Sequence, residues 1–256
     1  DLHSFPTRRS SDLPTVALIF FLMLTALPVW AEDMFLTAEH AVAEHGPRSV
    51  YTLVDFRPSK DFTRLSIPHS LNVPLAALAG MPHLKNRRLI LVGTGHSLAE
   101  PCETARNLRG QGWRIHILLG GLPAWQDAGG SLTGDPFVLD EYREVSLNTL
   151  KADALQIPLA LAVVDGLSHK ASAVLNTTAV HVFEPRHGES RQEFLHRMDN
   201  ASMPVCLADA NGRFPHRLIR DARQAGLKNF LILRGGTAAL SPIFPAPCSP
   251  CDERNN

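Results

Sequence analysis

The sequence predicts an α/β protein of two tandem domains, each a mainly parallel sheet with helices on both faces. Three observations predict this fold class. Apolar runs of strand length alternate with amphipathic helical segments, as in parallel sheets covered by helices. The same order of features occurs in both halves of the chain. The composition, with 45% hydrophobic and 20% charged residues, is that of an ordinary globular protein.

An internal repeat defines the two domains. In each half, an amphipathic helix ends at a glycine, and a short apolar strand then leads to a Gly-Gly pair. The corresponding glycines are Gly112 with Gly226, 114 residues apart, and Gly120 with Gly235, 115 residues apart. We therefore predict one domain at 34–135 and a second at 141–243.

Six apolar runs are predicted as buried strands. They cover residues 49–55, 88–93, 115–119, 161–165, 204–208 and 230–233. In open parallel sheets, ligands bind beyond the carboxyl ends of the strands. The segments in which we expect chemistry are therefore 93–101 in the first domain and 209–216 in the second.

Two N-terminal stretches are predicted to lie outside the fold. Residues 14–31 contain an apolar block of 12 residues, followed by Pro28 and small residues, as in a secretory signal peptide. The block is too short to cross a bilayer about 30 Å thick. We expect cleavage after Ala31 and a periplasmic or secreted protein without a membrane span; an uncleaved anchor is the alternative. Residues 1–13 resemble a translated sequencing adapter, a genuine N-terminus being the alternative.

Charge and ligand spacing exclude several classes of function. Lys plus Arg and Asp plus Glu both number 25, and this zero net charge does not fit a nucleic-acid-binding protein. The 12 histidines are scattered rather than placed four residues apart. A single Cys-x-x-Cys pair cannot supply the four ligands of a structural zinc site. We predict no metal and no cofactor.

The first domain resembles the rhodanese-like (sulfurtransferase-fold) family from end to end. That family opens with a strand ending in Asp-x-Arg, an acidic-aromatic pair, an Ile-Pro-His turn and an Asn-x-Pro strand. It closes with a Gly-aromatic step, a Gly-Gly pair and a tryptophan. The matching residues are Asp55 and Arg57, Asp61 and Phe62, 67–69, 72–74, Gly112 and Trp113, Gly120 and Gly121, and Trp125. The second domain keeps Asp165 but has Leu167 and Leu240 in place of the arginine and the tryptophan, so the resemblance there is degenerate.

The resemblance implies a nucleophilic cysteine in the loop after the fourth strand, at the start of a helix. Amide groups there lower the thiol pKa and hold an anion. That position falls at Gly95 in the first domain, or at Gly93 when counted from the strand, and at Asp209 in the second. None of these residues is a cysteine. We therefore predict no catalytic residue of the family type and no sulfur transfer by the family mechanism, as in a pseudoenzyme.

Both degenerate loops still carry polar side chains, which either bind a small anion or are ordinary solvated turn residues. They are Thr94, His96, Ser97 and Glu100 in the first loop and Asn211, Arg213 and His216 in the second. Ser97 and Glu100 have the spacing of a capping box, which predicts that Cys102 is a packed helical thiol. Cys206 lies within an apolar run and is predicted to be a buried strand residue.

The tail at 244–256 carries Cys248 and Cys251 in Pro-rich surroundings. This context favours a local disulfide, and a redox pair is the alternative. The sequence thus predicts an exported, tandem rhodanese-like protein without sulfurtransferase catalysis. It would act as a binding or accessory module for an unknown protein or small anion. The alternative is a periplasmic sulfurtransferase or thiol-redox protein that uses the tail cysteines.

Overall fold

The computed structural model describes residues 34–46, 49–165, 180–199, 203–213 and 215–243. In its first half, the strands are β1 (Phe35–Leu36), β2 (Tyr51–Asp55), β3 (Leu65–Ser66), β4 (Leu71–Asn72), β5 (Arg88–Val92), β6 (Arg114–Leu118) and β7 (Thr133–Gly134). The helices are α1 (Ala38–Ala43), α2 (Ser59–Arg64), α3 (Leu75–Leu78), α4 (Ala99–Gly110), α5 (Gly121–Asp127) and α6 (Val138–Tyr142), with a 3-10 helix at Pro82–Leu84.

The second half has the same alternation of strands and helices. Its strands are β8 (Glu144–Val145), β9 (Leu159–Val163), β10 (Val180–Phe183), β11 (Val205–Ala208) and β12 (Phe230–Leu233). Its helices are α7 (Leu147–Ala154), α8 (Arg191–Asp199) and α9 (Pro215–Gln224), with a 3-10 helix at Gly236–Ile243. Within the ranges described above, no helix combines the length and the apolar character needed to cross a bilayer.

The two large sheets in this part of the chain are parallel and have the same strand order. The first runs β1-β6-β5-β2-β4, and the second runs β8-β12-β11-β9-β10. Each strand of one sheet therefore has a counterpart at the same place in the other. Strands β3 and β7 form a small antiparallel pair beside the first sheet. The predicted fold class is confirmed, while the exact domain limits remain a prediction.

The predicted strands agree with the structure to within two residues. The largest difference is at β9, which was expected at 161–165 and spans Leu159–Val163. It ends there because its last pairing with β11 joins Val163 to Ala208, after which the chain turns. The edge strands Phe35–Leu36 and Glu144–Val145 were not predicted, because two residues are too few to show alternation.

One face of each sheet contributes to a shared central core. Residues of alternating position, such as Leu89 and Leu91 on β5, pack in one cluster with Leu159 and Leu161 on β9. Helices α3, α4 and α7 supply further side chains to that cluster. The opposite faces belong to two separate clusters, one for each half. This arrangement brings the start of α4 close to the end of α7.

An ion pair between a buried arginine and a partly buried aspartate also joins the two halves. Arg143 is fully buried, and its Nη2 donates to Oδ1 of Asp127 at 2.6 Å. Its Nη1 donates to the carbonyl of Phe230 at 3.1 Å, and its guanidinium lies 4.3 Å from the centre of that ring. The second carboxylate oxygen of Asp127 accepts from the amide of Asn229 at 3.1 Å. Arg143 thus binds residues of both halves of the chain.

Candidate functional site

The first candidate site is loop 1 (residues 93–98), which connects β5 to α4. It begins directly after the last strand residue, Val92, and the carbonyl of Gly93 accepts from the amide of Leu122 at 3.0 Å. In the second half, Asp209 directly follows β11, and its carbonyl accepts from the amide of Thr237 at 2.8 Å. Gly93 and Asp209 therefore occupy matching positions. This agrees with the sequence prediction that, counted from the strand, the family cysteine position in the first domain falls at Gly93.

Loop 1 has no room for a side chain at either position where the family cysteine is expected. A Cβ atom at Gly95 would lie 2.4 Å from the carbonyl oxygen of Gly120, and Gly95 has a φ of 101°. A Cβ atom at Gly93 would lie 2.5 Å from the ring of Phe56. The clash at Gly95 involves the backbone, which cannot move aside as a flexible side chain can. The packing of the loop thus requires glycine at position 95, whereas a side chain at position 93 would require the Phe56 ring to move.

The amides at the start of α4 are bound by a carboxylate from the other half of the chain. Oδ2 of Asp153 accepts from the amide of Ser97 at 2.9 Å, and Oδ1 accepts from the amide of Leu98 at 2.6 Å. Asp153 lies on α7 and is 98% buried, since its exposed fraction is 2%. Burial raises its pKa, while the bonds from Leu98 and Ser97 act in the opposite direction. An internal anion therefore already occupies these two donors.

The predicted capping box is wrong. Helix α4 begins at Ala99 with Leu98 as its N-cap residue, and no side chain caps it in the manner of a capping box. Ser97 has a φ of 62°, in the left-handed region, and its side chain bonds to Nδ1 of His96 at 3.0 Å. Asp153 takes the capping role instead. Glu100 is exposed on the first turn of the helix.

Two further polar side chains of loop 1 lie near its middle. Thr94 is partly buried, and His96 is partly buried with its ring beside the Ser97 hydroxyl. The pKa of His96 is lowered, first by burial and then by the positive charge of Arg234. His96 therefore favours its neutral form. Sequence reasoning did not anticipate Arg234 near this loop.

The two cysteines within the described residues are buried and free. Cys102 lies on α4 with no exposed surface, and burial raises its thiol pKa to about 11. Cys206 lies on β11, and complete burial raises its thiol pKa strongly. Because the thiolate is the nucleophile, neither group is poised to react at neutral pH. The predictions of a packed helical thiol and a buried strand cysteine are confirmed.

The second candidate site is loop 2 (residues 209–213), between β11 and α9. Oδ1 of Asp209 accepts from the amide of Gly212 at 2.5 Å, within the loop itself. Oδ2 of Asp165 accepts from the amide of Ala210 at 3.1 Å. The chain's own carboxylates thus bind amides in loop 2, as Asp153 does in loop 1.

Asp165 has an arginine partner that the sequence did not reveal. Leu167 stands two residues after it, where the family places an arginine, but Nη2 of Arg191 on α8 donates to Oδ1 of Asp165 at 2.6 Å. Nη1 of Arg191 also donates to Asp221 at 3.2 Å. In the first half, Asp55 pairs with the arginine two residues after it, since Nη2 of Arg57 donates to Oδ2 of Asp55 at 2.6 Å. That pair is fully buried and its arginine also donates to the carbonyl of Leu65.

A small open cleft of about 120 Å³ borders loop 2. Two carboxylates and two guanidinium groups line it, together with Asn211; the charged residues are Asp165, Asp209, Arg191 and Arg217. Arg213 and His216 are exposed on the same loop and the following helix, but they do not line the cleft. Its charges balance, so the cleft has no net attraction for an anion.

Two predicted features lie outside the described residues: the N-terminal stretches at 1–31, and the tail pair Cys248 and Cys251. Within the described residues, no group of three or more His, Cys, Asp or Glu side chains is placed to hold a metal ion. The sequence did not predict three residues near the two loops: Asp153, which binds amides of loop 1, Arg234, which lies near His96, and Arg191, which lines the cleft beside loop 2. Each reaches its loop only through the tertiary fold.

A rhodanese-like domain model matches residues 38–128. No curated protein matches the chain significantly. The chain is similar to a rhodanese-related protein from Thermoplasma volcanium, at 17% identity and a TM-score of 0.34, covering 40% of this chain and 98% of that one.

Two further solved structures resemble this chain. The Alr3790 protein from Anabaena sp. is 22% identical with a TM-score of 0.34, covering 40% of this chain and 85% of that one. A thiosulfate sulfurtransferase from Pseudomonas aeruginosa is 19% identical with a TM-score of 0.32, covering 83% of this chain and 43% of that one. These TM-scores are below 0.5, so the assignment depends on the family model and the motifs it contains. Residues 38–128 are a rhodanese-like domain.

Proposed function

We propose that the protein is a rhodanese-like protein without sulfurtransferase catalysis, and that it acts as a binding or accessory module. The observation that carries this proposal is the state of loop 1. Gly93 and Gly95 stand at the expected cysteine position, and a Cβ atom at either would clash. A side chain at Gly95 would therefore clash with the backbone of Gly120, and one at Gly93 would have to displace the Phe56 ring.

Amides of the two loops that could bind an anion already donate to carboxylates of the chain itself. A persulfide or an oxyanion would need amide donors at the helix start. The amides of Ser97, Leu98 and Ala210 already donate to Asp153 and Asp165. An incoming anion would have to displace a carboxylate and would be repelled by its charge. This supports a protein partner, rather than a small anion, as the ligand of this region.

The competing function is sulfur transfer or thiol redox chemistry by Cys248 and Cys251. Steady-state formation of thiocyanate from thiosulfate and cyanide, together with disulfide reductase activity, separates the two functions. We expect no turnover above the uncatalysed rate for the full chain. Turnover that is lost in Cys248→Ser or Cys251→Ser, but kept in Cys102→Ser, would overturn the proposal in favour of the tail pair.

We further propose that the protein is exported and that its leader is cleaved after Ala31. N-terminal sequencing of the protein recovered from a bacterial periplasm tests this proposal. A mature chain that begins at Glu32 is expected. Recovery of the uncleaved chain in the membrane fraction would support the anchored alternative and overturn cleavage.

A further inference from the structure

A second cleft lies at the amino-terminal end of the strands of the first sheet, at the opposite end from loop 1. Its volume is about 390 Å³, within the range of small-molecule sites. Tyr51, Thr52 and Leu53 line it at the beginning of β2, and Arg87 lines it immediately before β5. Loop 1 follows the carboxyl end of β5, so the two sites are separated by the length of the strands.

The cleft is lined by basic side chains and by apolar ones. Its basic groups are the imidazoles of His45, His69 and His83 and the guanidinium of Arg87. No Asp or Glu side chain is among the described residues that line it. The apolar side chains include Leu53 and Leu84, which are 4% and 2% exposed. This combination suits a ligand with a negative group on an apolar body.

His69 is close enough to His45 to affect its ionisation. The pKa of His45 is lowered, first by burial and then by His69. The His45 ring also packs edge-on against Trp125, with 5.1 Å between ring centroids. A bound anion would offset the effect of His69 and would raise the pKa of His45.

Among the described residues that line the cleft, the other ionisable groups do not supply a negative counter-charge. Across the cleft lie His83, Arg87 and the Tyr51 phenol. The Tyr51 ring packs in turn against His40 and His116, with ring centroids 6.4 and 6.1 Å away. The histidines of the cleft are also not arranged as metal ligands, since no metal-holding group occurs within the described residues. An anion is therefore the complementary ligand.

We propose that this cleft binds a small organic anion, a carboxylate carried on an apolar body, and that it binds more tightly as the imidazoles become protonated. Arg87 and the imidazoles would hold the carboxylate, and Leu53 and Leu84 would contact the apolar body. The site is independent of loop 1 and loop 2. Its test measures binding alone, so it can fail or succeed whatever the outcome of the sulfurtransferase assay.

Benzoate is a suitable probe for the full chain. Its affinity is measured by calorimetry at pH about 8 and about 5, the range over which histidine titrates. Imidazole NMR signals assign the site. We expect benzoate to bind about tenfold more tightly at the lower pH, with a rise of about one unit in the pKa of His45. Equal affinity at the two pH values, or no change in the His45 signals, would overturn the proposal.

Two variants locate the binding groups. His69 has a φ of 63°, which glycine adopts readily, so His69→Gly removes the imidazole while suiting the backbone. We expect His69→Gly and Arg87→Gln each to weaken benzoate binding at the lower pH by about fivefold. His187→Gln, a change at an exposed residue between β10 and α8, is the matched control and should bind as the parent does. If phosphate binds as tightly as benzoate, or if Zn²⁺ binds these imidazoles and benzoate does not, the proposed ligand class is wrong.

Discussion

The carboxylate of Asp153 accepts a 2.6 Å hydrogen bond from the amide of Leu98, although the two residues belong to different halves of the chain. A second bond, at 2.9 Å, joins the same carboxylate to the amide of Ser97. The beginning of helix α4 is therefore capped by helix α7. One buried side chain both stabilises the contact between the halves and occupies the amides that would otherwise receive an anion.

Removing this carboxylate should destabilise the protein. In Asp153→Ala, the amides of Ser97 and Leu98 lose their acceptor, and we expect the free energy of unfolding to fall by about 2 kcal/mol. Urea denaturation measures the change. Glu103→Ala, at an exposed position of α4, is the matched control and should change stability by less than about 0.5 kcal/mol. Similar stabilities of the two variants would show that the cap has no energetic importance.

Asp153 also predicts a specific dependence of stability on pH. Its folded pKa lies above the ordinary value of 3.8 because of burial, so the folded state holds the carboxyl proton more tightly than the unfolded state. Its pH-dependent contribution to stability is therefore greatest below about pH 3.8 and is lost as the pH rises through the folded pKa. We expect the unfolding free energy of the parent minus that of Asp153→Asn to fall over this window. A difference that rises with pH would contradict the assignment.

Loop 1 should not tolerate even a methyl group at Gly95. The Cβ atom of Gly95→Ala would meet the carbonyl of Gly120 at 2.4 Å, at a φ of 101°. We expect a loss of about 3 kcal/mol in thermal or urea unfolding. Gly110→Ala, where a Cβ atom meets nothing within 4 Å, should instead stabilise the helix by about 0.5 kcal/mol. A neutral Gly95→Ala would mean that the loop can accept a side chain.

The pair of Arg143 and Asp127 should be sensitive to truncation. Asp127→Ala would leave the fully buried guanidinium without its carboxylate, and a loss of about 3 kcal/mol is expected in unfolding free energy. Glu141→Ala breaks an exposed pair with Arg64 at 3.6 Å and should cost less than about 0.5 kcal/mol. Equal effects of the two changes would contradict a role for the Arg143 pair in joining the halves.

Cys102 should resist alkylation in the folded protein. Its thiol pKa is raised to about 11 and its side chain is buried, so the thiolate is scarce and inaccessible. In a Cys248→Ser, Cys251→Ser background, iodoacetamide at pH about 8 should label the native protein slowly and the denatured protein rapidly. Mass spectrometry of the labelled peptides measures this. Rapid native labelling of Cys102 would show that α4 exposes it.

The fold could be predicted from the sequence because its signals are local. Each long strand is a continuous apolar run, as at Leu159–Val163 and Phe230–Leu233, and each Gly-Gly pair follows such a strand at a fixed distance. The missing nucleophile was equally visible, since Gly93, Gly95 and Asp209 can be counted from these landmarks. Features of this kind need no knowledge of the tertiary contacts.

The contacts that control the loops could not be predicted in this way. Ser97 and Glu100 have the spacing of a local cap, but a carboxylate more than 50 residues later binds the amides instead. Likewise, the loss of an arginine at Leu167 suggested an unpaired Asp165, whereas Arg191 reaches it from another helix. Both outcomes depend on which elements pack together, and a single sequence pattern does not contain that information.

The central claim is that neither loop 1 nor loop 2 carries sulfur. Incubation of the full chain with thiosulfate, followed by intact-mass and peptide mass spectrometry, measures it most directly. We predict that no cysteine gains a sulfur atom and that treatment with cyanide changes no peptide mass. A cyanide-labile sulfur atom on Cys102 or Cys206 would contradict the finding that these thiols are buried and unreactive, and one on Cys248 or Cys251 would contradict the proposed absence of catalysis.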